Sequence, residues 1–105
     1  MRGSQTGRPI MALLDLLGRR WALRILWELR DGAPQNFRQL GARCDRMSPT
    51  VENDRLAELR EAGLVAHEAD GGYRLTAEGK SLVASLGPLN SWADSWANNR
   101  ARKLK

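Results

Sequence analysis

The side chains of this protein best suited to chemistry are arginines. Arg38, Arg43, Arg46, Arg55 and Arg74 fall in and around a segment that opens Ser48-Pro49-Thr50. A guanidinium is a planar fork that pairs with phosphate oxygens or with a guanine edge. In the same segment Asn53 could bond adenine bidentately, and Thr50 could pack on a thymine methyl group. Asp54 would repel phosphate unless it accepts from a cytosine amine or pairs with Arg55. Ser48, Thr50, Asn53 and Asp54 are therefore the candidates for base contact. Arg38, Arg43, Arg46, Pro49, Arg55 and Arg74 are the candidates for phosphate contact. Each has a bland alternative, a solvated helix residue or a surface arginine that aids solubility.

Other chemistries find few residues. A single cysteine, Cys44, rules out an internal disulfide and a cysteine-based zinc site, and it suits a small buried hydrophobe better than a reactive thiol. His67 is the lone histidine. No paired-acid, Ser–His or phosphate-loop pattern is present, so an enzyme is the weakest of the function classes, and no metal or cofactor is implied. The 105 residues suffice for one domain, and 42% are apolar. The net charge of +5 comes mostly from arginine and favours an anionic partner, of which nucleic acid is the commonest. No apolar run approaches the roughly 20 residues that cross a bilayer, and the N-terminus lacks a secretory pattern, so a soluble cytoplasmic protein is expected.

The elements that must position these residues follow from periodicity and punctuation. Residues 1–8 read as a flexible arm, 9–97 as the folded domain and 98–105 as a basic tail. Pro9 suits the first turn of a helix, in which Ile10, Leu13, Leu14 and Leu17 keep helical spacing. Met11, Ala12 and Leu16 make that helix apolar on nearly every side, so it needs a second surface, with another subunit the expectation. A second helix is expected over about Arg20 to Asp31, stopped by Gly32 and Pro34. Asn36 with Gln39 fits a capping box that opens a third helix carrying Phe37, Leu40 and Cys44. Ser48 then caps, and Pro49 begins, a fourth helix that reaches Ala62 and stops at Gly63. Leu64–Ala69 and Tyr73–Thr76 can pair as strands across Asp70-Gly71-Gly72. Thr76 caps a further helix, which resumes past Gly87-Pro88 with Leu89, Trp92, Ala93 and Trp96 on one face. The order describes a mainly α fold with a small β-hairpin: a winged helix-turn-helix with extra N- and C-terminal helices for dimerisation.

The resemblance then becomes specific. Leu16-Leu17-Gly18-Arg19-Arg20-Trp21, Phe37-Arg38-Gln39-Leu40, Ser48-Pro49, Arg55-Leu56, Glu58-Leu59, Gly63-Leu64-Val65 and Leu75-Thr76-Ala77-Glu78-Gly79 resemble the HxlR family of MarR-like bacterial transcriptional regulators. The resemblance runs from about Pro9 to Trp92. It implies a homodimer, paired through its first and last helices, that binds a partly palindromic operator in double-stranded DNA as a regulator, with repression the expected mode. Met11, Leu14, Leu89, Trp92 and Trp96 are the candidate dimer contacts, and a small-molecule effector is a further possible partner. Arg8 stands where the family often has a sensing cysteine, which puts a thiol switch in doubt.

Glu52 stands on the stripe of Leu56 and Leu59, where the family usually has leucine. An ion pair with Arg38 or Arg43 is the expectation; a favourable charge at the helix start or a ligand site are the alternatives. The acidic Glu52, Asp54 and Glu58 also keep open a second function class, a winged-helix interaction module with weak or absent DNA binding.

Overall fold

The computed structural model describes residues 8–103. Six helices and one hairpin follow in order: α1 Pro9–Leu17, α2 Ala22–Glu28, α3 Phe37–Arg43, α4 Pro49–Glu61, β1 Val65–His67, β2 Tyr73–Leu75, α5 Ala77–Ser85 and α6 Gly87–Lys103. Three helices open on caps that are visible in the sequence. Asn36 and Gln39 exchange side-chain-to-backbone bonds of 2.8 and 2.9 Å. Ser48 Oγ accepts from Val51 N, and Thr76 Oγ1 accepts from Gly79 N. Each bond satisfies an orphan N–H of a first helical turn.

The core lies where α2, α3, α4 and the hairpin meet. Ile25, Leu26, Leu29, Leu40, Leu56, Leu59 and Leu75 are its largest fully buried side chains. The hairpin pairs Val65 with Leu75, Ala66 with Arg74 and His67 with Tyr73 in antiparallel register. Gly71, at φ 96°, supplies the left-handed residue of its turn. Gln35 adds a bridge absent from the sequence-based expectation: its N–H donates to Tyr73 O at 2.9 Å, and its carbonyl accepts from Tyr73 N at 2.7 Å. The chain before α3 is thereby stitched to the hairpin beside its turn.

Other elements depart from expectation at their ends. α2 starts at Ala22 because Trp21 is left-handed, at φ 76°. It finishes at Glu28, after which Arg30 N and Gly32 N bond three residues back and tighten the chain into turns. Between α5 and α6 only Leu86 intervenes, with Pro88 in the first turn of α6 where it costs no hydrogen bond. α6 runs on without a break at residue 97, so the expected basic tail is, as far as Lys103, the last turns of a helix. The expected N-terminal arm lies outside the described residues except for Arg8.

Candidate nucleic-acid interface

α3 and α4 are joined by a tight turn in which Asp45 and Arg46 are both left-handed, at φ 56° and 58°. Arg46 N closes the turn on Gly41 O at 2.9 Å. Arg24 of α2 holds it from behind. Its guanidinium donates to Asp45 Oδ2 at 3.1 Å, to the Arg43 carbonyl at 2.8 Å and to Glu28 Oε2 at 2.9 Å. The Glu28 bond, with Asp45 beside it, raises the Arg24 pKa further above its usual value. Arg24 was not visible as a functional residue in the sequence, since its partners lie up to 21 residues away.

The turn sets α4 with one side against the core and the other in solvent. Leu56 and Leu59 are buried, whereas Ser48, Pro49, Thr50, Asn53, Asp54 and Ala57 are exposed along the first two turns. All four base-contact candidates thus share one open surface at the N-terminal half of α4. Arg38, Arg43 and Arg46 are exposed beside them, and no ion pair holds any of the three among the described residues. Arg74 lies on β2, half exposed and ion-paired with Glu68 across the hairpin. Exposed guanidiniums on α3, on the turn and on the wing thus accompany the open side of α4.

Arg55 is placed differently from the other arginines. Its Nη1 bonds Glu58 Oε1 at 2.5 Å, Arg19 reaches Glu58 Oε2 at 2.8 Å, and Arg55 Nε is buried without a partner. This cluster ties the end of α1 to α4 and points away from the exposed surface. Beside it a cavity of about 860 Å³ opens between α1 and α4, lined by Leu13, Asp15, Leu16, Arg19, Glu61 and Leu64 among others.

Glu52 corrects a second expectation, because it pairs with no arginine. The residue is 2% exposed and Oε2 has no hydrogen-bond partner. It packs on Gly41 of α3, where an added Cβ would stand 2.5 Å from Glu52 Oε1. Arg38 and Arg43 point to solvent instead. Burial alone pushes the Glu52 pKa up to about 7. Burial likewise raises the Cys44 thiol to about 11, so Cys44 offers no ready thiolate.

The apolar candidates are exposed on α1 and α6. Met11 and Leu14 lie on α1 with Ile10; Leu89, Trp92 and Trp96 lie on α6, where the two indoles stack at 6.1 Å. A groove of about 430 Å³ opens between α2 and the α5–α6 segment, lined by Leu23, Trp27, Val83, Leu86, Leu89 and Ala93 among others. Trp27 is partly exposed at its edge under the Arg30 guanidinium, 4.2 Å from the ring centre. Among the described residues no helix is long and apolar enough to cross a membrane.

Comparison with known proteins agrees with this architecture. The HxlR-like helix-turn-helix family matches residues 16–101. An uncharacterized HTH-type transcriptional regulator of Bacillus subtilis strain 168, YvaP, is 33% identical over 89 residues, which cover 79% of this chain and 82% of YvaP. The quinone-bound structure of YodB from B. subtilis superposes with a TM-score of 0.76 at 30% identity, covering 84% of this chain and 98% of YodB. A MarR-family regulator structure from Enterococcus faecalis V583 superposes with a TM-score of 0.77 at 26% identity, covering 96% and 99% of the two chains. The winged helix-turn-helix with its two-stranded hairpin is common ground among them. By the span of the match and the likeness to these regulators, the chain belongs to the HxlR family of helix-turn-helix transcriptional regulators.

Proposed function

We propose that the protein is a homodimeric, sequence-specific repressor that reads double-stranded DNA with α4. The observation that carries this is the open N-terminal half of α4, where Ser48, Thr50, Asn53 and Asp54 are all exposed beside the unpaired guanidiniums of Arg38, Arg43 and Arg46. Base contacts fall to those four residues in the major groove, while Arg38, Arg43, Arg46, Arg74 and the Pro49 end of the helix meet phosphate. Arg55 acts from behind, through Glu58. Two copies joined through Met11 and Leu14 of α1 and Leu89, Trp92 and Trp96 of α6 would set their α4 helices about 34 Å apart. The protein would then work in the cytoplasm, on the nucleoid. A small molecule held between α1 and α4 would bear on both the pairing and the reading helix, which makes that cavity the place for an effector.

The competing interaction module loses part of its support. Glu52 is buried and Glu58 is held by two arginines, so of the three acidic residues that suggested it Asp54 alone stands free on the outer side of α4. The test is selection of bound fragments from genomic DNA at two salt concentrations. A partly twofold sequence with half-sites one helical turn apart is expected. The Arg74→Ala variant should bind all sequences less tightly and flatten the salt dependence by about one unit. Salt-insensitive binding, or none, would overturn the proposal.

A further inference from the structure

The α3–α4 pair encloses one titratable group that neither the fold nor the DNA-reading proposal uses. Glu52 lies on the same stripe as Leu56 and Leu59, 2% exposed, with an orphaned carboxyl oxygen. The slot it fills exists because residue 41 is glycine; any side chain there would collide with Glu52 Oε1. We propose that α4 docks most firmly on α3 with a proton on Glu52, so that the DNA-reading unit is tight while the carboxyl is neutral and loosens when it ionises.

No surrounding charge offsets ionisation. From α3 the Cys44 thiol, itself raised in part by Glu52, faces the carboxyl, and Asp45 of the turn is held by Arg24. From α2 come Glu28 and Arg24, which bond each other, the Arg24 guanidinium being shared among Glu28, Asp45 and the Arg43 carbonyl. Arg38 and Arg43 of α3 face solvent, and Arg55 of α4 itself is bonded to Glu58. Burial is the cause of the upward shift, and it brings the group to about 7, inside the range a cell can visit. An ionised Glu52 is drawn towards water, and α4 must part from Gly41 for it to get there, so ionisation weakens the docking. DNA strengthens the link, since phosphates near α4 add negative potential that favours the protonated form.

Hydrogen exchange on the full chain tests this without DNA. Protection factors for α3 and α4 amides, corrected for intrinsic rates, should fall by up to tenfold per pH unit between about 5 and 7, then level off. The full change approaches 300-fold, set by the interval between the ordinary 4.5 and about 7. Glu52→Gln keeps the shape and cannot ionise, so its profile should be flat; Glu52→Met serves the same purpose should the buried amide unfold the chain. Both variants retain His67, so a difference from the parent isolates Glu52. Identical profiles in parent and variants would overturn the proposal. In a second arm, affinity for a genomic DNA fragment at fixed ionic strength should weaken from pH 6 to 8 in the parent and hold constant in the variants. This arm rests on the reading of α4 as the DNA-contacting helix. A pH-linked protection without any DNA binding would keep the proton link and remove the proposed function instead.

Discussion

Replacing Glu52 by methionine should stabilise the protein, and by more at pH 8 than at pH 5. Methionine keeps the unbranched chain that fits beside Gly41 and removes the charge. The magnitude follows from linkage. Below about pH 4.5 the carboxyl is neutral in both folded and unfolded chains and costs nothing. Between 4.5 and about 7 the unfolded chain is ionised and the folded one is not, so stability falls as pH rises; above 7 both are ionised and the loss levels off. An interval of about 2.5 units at 1.36 kcal/mol each sets an upper bound near 3 kcal/mol, reduced to the extent that water reaches the carboxyl. At pH 5 the same relation leaves under about 1 kcal/mol. With roughly 4 °C per kcal/mol for a domain of this size, the variant should gain on the order of 8 °C more at pH 8 than at pH 5. Thermal unfolding by circular dichroism, at one fixed protein concentration because pairing would shift Tm, measures it. An equal gain at both pH values would show that ionisation is not the cost. A lower Tm at pH 8 would show that the carboxylate makes a stabilising contact.

Two further substitutions test the frame around the interface. Gly79→Ala brings a better helix former into α5, worth about 1 kcal/mol, but its Cβ would meet the Leu64 carbonyl of the backbone. The clash should win by about 2 kcal/mol or more, and an unchanged midpoint in chemical denaturation would contradict the close approach. Ser48→Ala removes the cap on α4 and should cost about 1 kcal/mol with the fold intact, read as a Tm lower by roughly 4 °C.

Local chemistry made the helix starts legible from the residues alone. Asn36, Ser48 and Thr76 cap where their side chains and the following spacing said they should, and Gly63 ends α4 at φ 78°. The long-range bonds were not legible, because nothing near Gln35 in sequence announces Tyr73, and nothing near Arg24 announces Asp45. The same limit misplaced two charged residues. Position on the Leu56–Leu59 stripe calls for an apolar residue at 52 and an arginine partner was the expectation for Glu52, yet Gly41 leaves a slot that accepts the carboxyl without one. Arg55 stood in the right segment for phosphate, but Glu58 one turn on, shared with Arg19 from the end of α1, claims its guanidinium. Exposed surfaces were easier to foresee than inward ones: the open side of α4 and the tryptophans of α6 lie where spacing put them.

The Thr76 hydroxyl joins two helices at one atom, accepting from Gly79 N of α5 and donating at 2.6 Å to the carbonyl of Gly63, just past the end of α4. Gly79 lets α5 sit directly on the backbone at Leu64. The far end of α4 is therefore bolted to the helix that leads into α6, with no slack of a side chain between them. In a pair joined through α6, the gap between the two α4 tips would behave as a caliper whose setting is built into the backbone. A small change in how the α6 helices cross would be passed on to the tips almost undamped, making helix crossing a lever on operator spacing.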